Sequence, residues 1–439
     1  MPFLVVRGFF LAPTASRPWP TPLTESPLKL SSTAADGRDA AESRASTSRP
    51  LGVYVHFPWC LKKCPYCDFL SVAAARDAIP HRAYADAVLR DLAARLPQLG
   101  ADYRLETVFF GGGTPSLWAT EELGRVLSAV LSAFAHNRAS DVEITAECNP
   151  TSLDLEKARA LADVGVNRLS LGVQGLDAER LAFLGRLHDP NGGLDAARAA
   201  LSSPMPRVSV DFIFGVAGQS PEQAAHEART LAGLGTTHLS AYALTIEPGT
   251  EFGARAKKGR LPLLDEAQVA DSFTAVDEAL GQAGFDHYEI SNFARQGHVS
   301  RHNLGYWRGY DYLGLGTGAW GTVTLPSGRL RYRNSPSPER YQASAFTTPF
   351  QEAADGCAVV EPIDPETSLR ERIMLGLRLA EGFNLEEAAG ELGVEPLPEA
   401  RRRSLERLLQ SGRIQLDRCR LRIPKPQWLF ADGIISELL

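Results

Sequence analysis

Three cysteines, Cys60, Cys64 and Cys67, lie within eight residues with the spacing C-x3-C-x2-C. A structural zinc site needs a fourth ligand, and only His56 and Asp68 lie near enough in the sequence to supply one. A thiol–disulfide motif would use only the CPYC piece and leave Cys60 surplus. Three thiolates can instead bind three irons of a [4Fe–4S] cluster and leave the fourth iron open to another ligand. The spacing therefore favours an iron–sulfur cluster.

The segments around the cysteines alternate between short apolar runs and longer amphipathic stretches. The runs typical of strands lie at 52–57, 106–110, 142–147, 168–174, 207–215 and 238–244. The stretches typical of helices lie near 80–96, 120–135, 152–163, 177–184, 193–202 and 220–234, several of them opened by cap residues. Six strand-then-helix units indicate parallel strands with helical crossovers. This order predicts an α/β fold with a partial (β/α)6 TIM-like barrel, and an open doubly wound sheet is the alternative.

Unusual polar residues occur where the predicted strands end. The cysteines follow the first strand, GGGTP (111–115) follows the second, and Glu147 and Gln174 end the third and fourth. Asp211 lies within the fifth strand, where a buried acid needs a partner. Parallel α/β folds gather their sites at the carboxyl ends of the strands. We therefore expect these residues to share one site.

The composition limits the classes of protein to consider. The 439 residues include 46 Lys and Arg, 52 Asp and Glu and six Cys, with a net charge of −6. The acidic excess argues against nucleic acid as a partner, and six cysteines are too few for a disulfide scaffold. No apolar stretch approaches the length of a transmembrane segment. A cytoplasmic protein is expected, with residues 1–50 disordered; an organelle transit peptide or an upstream start codon are alternatives for that segment.

Eight short strings between residues 52 and 320 carry a family resemblance. They are YVHFPWC, CPYCDF, FFGGGTPS, ECNP, LSLGVQ, LGRLH, DFIFG and HNLGYW. The chain thereby resembles the radical S-adenosylmethionine (SAM) superfamily. Within it, the strings are similar to the HemN/HemW branch, named for oxygen-independent coproporphyrinogen III dehydrogenase and its heme-chaperone relatives. The resemblance implies a [4Fe–4S] cluster and SAM as cofactors.

The resemblance also implies roles for particular residues. Cys60, Cys64 and Cys67 would be the cluster ligands, and Tyr66 would lie near the adenine of SAM. The other positions facing SAM would be Tyr54, Gly112, Gly113, Thr114, Glu147, Gln174, Arg186, Asp211 and Ala243. Glu147 can accept a hydrogen bond from the methionine ammonium group. Glycines without Cβ would let backbone N–H groups approach the methionine carboxylate.

Two places in the sequence decide between the members of this branch. The dehydrogenase carries a further cysteine two residues after the last ligand, where this chain has Phe69. HemW-type proteins carry the phenylalanine and the HNxxYW string, which here supplies His302, Tyr306 and Trp307 as heme-handling residues. The resemblance therefore implies a heme chaperone, with coproporphyrinogen III dehydrogenase as the alternative. It leaves reductive SAM cleavage open.

The chain changes character beyond about residue 325. Residues 51–325 are expected to form the core barrel, 326–360 a linker, and 361–439 a small winged-helix-like domain of three helices and a hairpin. The three consecutive arginines at 401–403 suggest DNA binding as a further hypothesis. Glu399 and Glu406 flank the run, however, and such a run is usually a solvated helix face. The expected partners are heme, a heme-acceptor protein, a reductant such as flavodoxin or ferredoxin, and a second copy of the chain.

Overall fold

The computed structural model describes residues 48–100, 102–351 and 356–439, and the predicted disorder of the N-terminal segment lies outside them apart from residues 48–50. The strands in chain order are Arg49–Phe57 (β1), Trp59–Cys60 (β2), Val72–Ala73 (β3), Tyr103–Gly112 (β4), Arg138–Cys148 (β5), Arg168–Gln174 (β6), Val208–Phe214 (β7), His238–Ala243 (β8), Asp286–Glu289 (β9), Asn292–Ala294 (β10), Asp311–Leu315 (β11), Trp320–Leu325 (β12), Gly328–Asn334 (β13), Cys357–Pro362 (β14), Gln415–Asp417 (β15) and Arg420–Arg422 (β16).

The helices begin mostly at residues suited to capping. In chain order they are His81–Arg95 (α1), Thr120–Ala133 (α2), Leu155–Asp163 (α3), Ala178–Phe183 (α4), Pro190–Leu201 (α5), Pro221–Ala232 (α6), Glu251–Lys257 (α7), Glu266–Gln282 (α8), Arg301–Trp307 (α9), Pro338–Ala343 (α10), Pro365–Gly376 (α11), Leu385–Leu392 (α12), Glu399–Gln410 (α13) and Ala431–Ser436 (α14). Asp154, Asp177 and Asp189 each accept a backbone N–H at the start of a helix, which satisfies a donor that the helix leaves free.

Twelve strands form one sheet in the order β14-β13-β12-β11-β1-β4-β5-β6-β7-β8-β10-β9. The six strands β1 and β4 to β8 are parallel and follow one another without a reversal of direction in the order. A doubly wound sheet would reverse its order at a switch point within these strands. The predicted α/β architecture of six strand-then-helix units is confirmed, and the strand order fits the predicted partial barrel rather than the doubly wound alternative.

The strands are apolar because both of their faces are covered. In β6 and β7 nearly every residue is buried, and Asp211 is the polar exception of β7. Aliphatic side chains from the strands and from the inner faces of α1, α2 and α6 form one continuous core. This packing holds the carboxyl ends of the parallel strands at one edge, where the polar residues are expected to meet.

The prediction of a linker over 326–360 differs from the structure. Strand β13 pairs with β12 and β14, and α10 packs beside α1. The sequence GRLRYRN alternates arginines with Leu330 and Tyr332, which is the period of a strand, and Tyr332 is fully buried. Arg331 lies on the opposite face and pairs with Glu361 and Glu371. The three arginines make the segment polar, which is why its sequence predicts a loop rather than a strand.

The C-terminal segment has a core of its own. Helices α11 to α13 are followed by the hairpin of β15 and β16, in the predicted order, and by a 3-10 turn and α14. Leu369, Leu385, Leu408 and Trp428 are among its buried residues. The domain docks on the last strands of the barrel, where the Ala380 backbone N–H donates to the carbonyl of Tyr288. None of the described helices has the length and apolar character of a membrane span.

Candidate functional site

A cavity of about 320 Å³ opens at the carboxyl ends of the parallel strands. It contains most of the residues that the sequence singles out. Those lining it are Cys60, Cys64, Tyr66, Cys67, Gly112, Gly113, Thr114, Glu147, Gln174, Arg186, Asp211, Ala243, His302 and Tyr306. Tyr54 and Trp307 do not line it. The strand ends therefore meet at one site.

The cysteines lie in a loop that its backbone holds closed. Strand β2 ends at Cys60 and pairs with β3. Ala74, the residue after β3, donates its N–H to the carbonyl of Cys60 at 2.9 Å. A turn brings the N–H of Cys67 to the carbonyl of Cys64 at 3.1 Å. All three thiols are free and half-buried. We call residues 60–70 the cysteine loop.

Polar groups surround the thiols. Thr114 Oγ1 lies 3.4 Å from Cys60 Sγ, and Arg186 Nη1 lies 3.7 Å from Cys64 Sγ. Burial raises the pKa of the Cys60 thiol and raises that of Cys67 to about 12. Without a cation both thiols remain protonated, since their ionised forms are poorly solvated. Among the described residues, no three His, Cys, Asp or Glu side chains are placed to hold a single metal ion.

The backbone N–H groups of the glycine run already have partners. Gly112 N–H donates to Glu147 Oε2 at 3.0 Å, Gly113 N–H to the carbonyl of Phe57 at 2.7 Å, and Thr114 N–H to that of Trp59 at 2.9 Å. The expectation that these N–H groups approach a ligand carboxylate is therefore not met in this arrangement.

The glycines are required instead by close packing against the strand that leads to the cysteines. A Cβ on Gly113 would lie 2.7 Å from the carbonyl oxygen of Trp59 and 2.9 Å from that of Pro58. Gly112 has φ +110, and a Cβ there would lie 2.5 Å from the His56 ring. Only residues without a side chain let the end of β4 lie this close to β1 and β2.

Two carboxyl groups face the cavity in an environment that resists their ionisation. Burial, with a smaller contribution from Asp211, raises the pKa of Glu147 to about 7. Burial also raises the pKa of Asp211, although Ser170 Oγ donates to its Oδ1 at 3.0 Å. A cationic ligand group in the cavity would favour the ionised form of both carboxyl groups and lower their pKa values.

Gln174 and Arg186 carry buried polar atoms without partners. Gln174 has φ +68, an uncommon conformation for a residue with a side chain, and its Oε1 accepts no hydrogen bond from the described residues. Arg186 donates from Nη2 to the carbonyl of Gly172 at 2.6 Å, but its Nε is likewise unpartnered among these residues. Buried polar atoms of this kind are usually satisfied by a ligand or by water.

His56, which the sequence offers only as a possible zinc ligand, instead supports the cysteine loop from outside the cavity. The carbonyl of Leu70, at the end of the cysteine loop, lies 2.8 Å from His56 Nε2, and the Tyr54 hydroxyl lies 2.9 Å from Nδ1. Because a carbonyl can only accept, Nε2 carries the proton and Nδ1 accepts from Tyr54. Burial lowers the pKa of His56 to about 4, so the ring is neutral. Tyr54 therefore acts from below the cavity, through His56.

His302 is enclosed by its surroundings. Its Nδ1 lies 2.7 Å from Thr107 Oγ1, its Nε2 lies 3.0 Å from the Tyr306 hydroxyl, and its ring stacks on Phe109 with centroids 4.9 Å apart. Glu143 accepts the backbone N–H of His302 at 3.0 Å. Burial lowers the pKa of His302 well below its usual value. Helix α9 thus closes the floor of the barrel.

The C-terminal domain also lines the cavity. Arg378 and Asp432 form an ion pair at its wall, and Trp428 lies beside them. The Trp428 ring meets His287 edge-on, with centroids 4.4 Å apart. Nothing in the sequence marks these residues as parts of the site, because their approach depends on how the domain docks.

Two family models match the chain. The model of the radical SAM superfamily matches residues 54–231, and that of the HemN C-terminal domain matches residues 363–430. Coproporphyrinogen III oxidase (HemN) from Escherichia coli has a similar fold, with a TM-score of 0.72 and 21% identity over 89% of this chain and 90% of that one.

Curated relatives extend the match. Heme chaperone HemW of Escherichia coli (strain K12) is 39% identical over 282 residues, which are 64% of this chain and 72% of the relative. Heme chaperone HemW of Mycobacterium tuberculosis (strain H37Rv) is 33% identical over 395 residues, which are 89% of this chain and 95% of the relative. A Bos taurus relative, radical S-adenosyl methionine domain-containing protein 1, mitochondrial, is 35% identical over 80% of this chain and 78% of its own length. The chain therefore belongs to the radical SAM superfamily and, within it, to the HemN/HemW branch, among relatives named HemW.

Proposed function

We propose that this protein is a heme chaperone of HemW type, which binds heme and passes it to an acceptor protein while carrying a [4Fe–4S] cluster and SAM. The observation that carries the proposal is the match to a HemW relative over 95% of that relative's length. The cavity supports it, since the three thiols of the cysteine loop, the carboxyl groups of Glu147 and Asp211 and the unpartnered atoms of Gln174 and Arg186 line the same space.

The donor set fits an iron–sulfur cluster. Cys60, Cys64 and Cys67 would hold it, because three thiols of one short loop line one cavity and the Arg186 guanidinium near Cys64 favours negative charge there. The cluster, when bound, supplies one electron for reductive cleavage of SAM. His56 keeps the far end of the cysteine loop against the barrel.

The other lining residues fit SAM. Glu147 and Asp211 supply acceptors for an ammonium group and for ribose hydroxyls, and Gln174 Oε1 supplies a further acceptor. Arg186 Nε is a free donor. Tyr66, Thr114, Ala243, Gly112 and Gly113 would line the remaining surface.

The heme-handling role rests on Phe69 and on helix α9. Phe69 lines the cavity where the dehydrogenase would carry a further cysteine, which disfavours coproporphyrinogen oxidation. His302 and Tyr306 line the same cavity, and Trp307 ends their helix. For His302 to bind heme iron through Nε2, that nitrogen must first leave the Tyr306 hydroxyl. We therefore propose that heme binding rearranges this pair.

Two cysteine variants test the cluster ligands. Cys64→Ala, reconstituted anaerobically with iron and sulfide, should lose the brown absorbance near 400 nm. Cys148→Ala is the matched control, because Cys148 is a buried thiol that lines the same cavity outside the cysteine loop. A Cys64→Ala variant that retains a full iron content would refute the assignment.

Two readouts on the reconstituted protein separate the chaperone from the dehydrogenase. We expect a stable Soret band on addition of heme, and no product from coproporphyrinogen III in the presence of SAM and reductant. Conversion to protoporphyrinogen would overturn the chaperone proposal. His302→Ala should shift the Soret maximum if His302 is an iron ligand, while the control His136→Ala, an exposed histidine, should not.

We place the working protein in the reducing cytoplasm, with a homodimer and a heme-acceptor protein as partners. The cysteine chemistry supports this placement. In an oxidising compartment, oxidation of the three thiols would compete with iron binding. The mitochondrial designation of the Bos taurus relative makes an organelle the alternative. Residues 1–50 fused to a fluorescent protein should leave it in the cytosol; import into an organelle would contradict this placement.

A further inference from the structure

A basic chain segment is anchored beside the cysteine loop. At its start, the Phe252 N–H donates to the carbonyl of Pro65 at 2.9 Å. Phe252 and Leu261, at the two ends of the segment, belong to the same small apolar cluster as Tyr66. A hydrogen bond from the Arg260 N–H to the carbonyl of Arg255 closes the segment between them. Its side chains are therefore held near the three cysteines.

The charge of this region differs from that of the whole chain. Residues 60–70 and 247–260 contain six basic and three acidic side chains, whereas the chain has a net charge of −6. We define the basic rim as Lys62, Lys63, Lys257, Lys258 and Arg260, all of which are exposed. None of the five has an ion-pair partner among residues 48–100, 102–351 and 356–439. The rim thus presents uncompensated positive charge to solvent.

Exposed apolar side chains accompany the basic rim. Leu187 is 55% exposed and follows Arg186, whose guanidinium contacts Cys64; Leu263 is 51% exposed and follows Leu261 of the Tyr66 cluster. Leu187 lines the mouth of the cavity together with Lys62 and Lys63. Large exposed leucines beside a group of mainly basic side chains are typical of a binding surface rather than of a solvated one.

We propose that the basic rim, with Leu187 and Leu263, is the docking surface for a small acidic one-electron carrier protein that reduces the cluster. The proposal rests on the proposed function, because it requires a cluster on Cys60, Cys64 and Cys67. One electron passes from the reduced carrier to the oxidised cluster, so that the carrier is oxidised by one electron and the cluster is reduced by one.

The chemistry of the rim selects this partner. An acidic carrier is attracted by charge complementarity, which raises the association rate at low salt and is screened within about 10 Å at 0.1 M ionic strength. Electron-transfer encounters need only a small interface, which a few charges and two leucines can supply. The rim borders the loop that would hold the cluster, so the carrier would dock close to its electron acceptor.

The test compares two double variants of the reconstituted full-length protein. Lys257→Glu/Lys258→Glu reverses two charges of the basic rim. Arg159→Glu/Arg229→Glu makes the same change in net charge on two exposed arginines of α3 and α6, neither of which has an ion-pair partner among the described residues. Cluster reduction is followed by stopped-flow bleaching with reduced flavodoxin and, separately, with dithionite, at several salt concentrations.

We expect the rim variant to slow reduction by flavodoxin roughly tenfold or more at low salt. Its dithionite rate should stay unchanged, and the control should lose less than about twofold. Equal flavodoxin rates for the rim variant and the wild type would overturn the proposal, and so would an equal loss in both variants. Binding to vesicles of anionic phospholipid is measured for the same proteins. If the rim variant loses vesicle binding but keeps its rate of reduction by flavodoxin, the proposal is overturned and the rim is assigned to a membrane surface. Failure of the wild type to acquire a cluster would refute the proposed function instead.

Discussion

At the scale of single residues, burial sets the protonation of the site. Glu147, Asp211 and the thiols Cys60 and Cys67 all have raised pKa values, and burial is the largest cause in each. Burial therefore favours the protonated form of these four groups, whereas a bound cluster and a cationic ligand group would favour the ionised form. Binding of a cluster and of a cationic ligand would release protons.

Glu147 should make the cofactor-free protein less stable as the pH rises. Its pKa is about 7 in the fold against 4.5 when unperturbed, so between these pH values the folded state binds more protons than the unfolded state, and the stability falls. The shift corresponds to roughly 3 kcal/mol. Glu147→Gln should lack this loss, so urea unfolding should show it more stable than wild type at pH 8 and nearly equal at pH 4.5.

The exposed Glu156→Gln variant is the control for this measurement and should follow the wild-type pH curve. Parallel curves for Glu147→Gln and wild type would show that Glu147 ionises normally in the fold.

The sequence indicates residue types better than it indicates roles. Cys60, Cys64 and Cys67 stand out because their spacing has few other uses. His56 does not, since a buried neutral histidine on a strand looks like any other core residue until its partner, Leu70, is known. The sequence singles out Gly113 as a residue that contacts SAM, whereas the fold requires a glycine there because a backbone carbonyl lies beside it. Only the structure reveals that neighbour.

At the scale of elements, the end of β4 and the strand pair β2–β3 form a tight backbone contact that holds the cysteine loop. The six strand-then-helix units follow from the alternation of apolar runs with capped amphipathic segments, and the predicted strand 168–174 has the observed limits. Strand β13 escapes this reasoning because its outer face is charged and pairs with residues far along the chain.

Gly113→Ala should displace the cysteine loop. The new Cβ would meet the backbone of Pro58 and Trp59, which cannot rotate away as a side chain could, so we expect a loss of about 1–3 kcal/mol. The reconstituted variant should also release iron to a chelator faster than wild type.

Gly281→Ala is the matched control, because this glycine of α8 has open space around it. It should keep its iron and gain a few tenths of a kcal/mol to about 1 kcal/mol of stability. Equal rates of iron release from both variants would show that the backbone contact at Gly113 does not help to retain the cluster.

At the scale of the whole molecule, a buried ion pair of α1 connects the start of the barrel to the strand and helix that follow it late in the chain, β13 and α10. Arg95 and Asp91 of α1 are fully buried and lie 2.6 Å apart. Arg95 Nη2 also donates to Asn334 Oδ1 of β13 at 2.8 Å, and the Tyr341 hydroxyl of α10 donates to Asp91 at 2.9 Å. The segment that contains β13 and α10, where the sequence predicts a linker, is thus fastened to the first helix of the barrel.

Arg95→Met should destabilise the protein by about 3–5 kcal/mol, because it leaves Asp91 buried without its cation. The double variant Asp91→Leu/Arg95→Met should recover most of this loss. Arg403→Met removes an exposed partner of Glu399 and should change the unfolding midpoint little. A small effect of Arg95→Met in urea unfolding would contradict this role of the ion pair.

The position of β1 in the sheet has a consequence for how the protein is made. Strand β1 leaves the ribosome early, but its neighbour β11 comes only with residues 311–315. The Thr317 N–H, which donates to the Tyr84 hydroxyl, and Gly318, which lies against Leu70 of the cysteine loop, follow directly after β11. At synthesis rates of roughly 5–20 residues per second, this segment follows the cysteines after on the order of tens of seconds. During this interval the nascent chain exposes three unshielded thiols. The cluster proposed above would therefore be held by a closed loop only after residues 311–318 have been synthesised and have packed beside it.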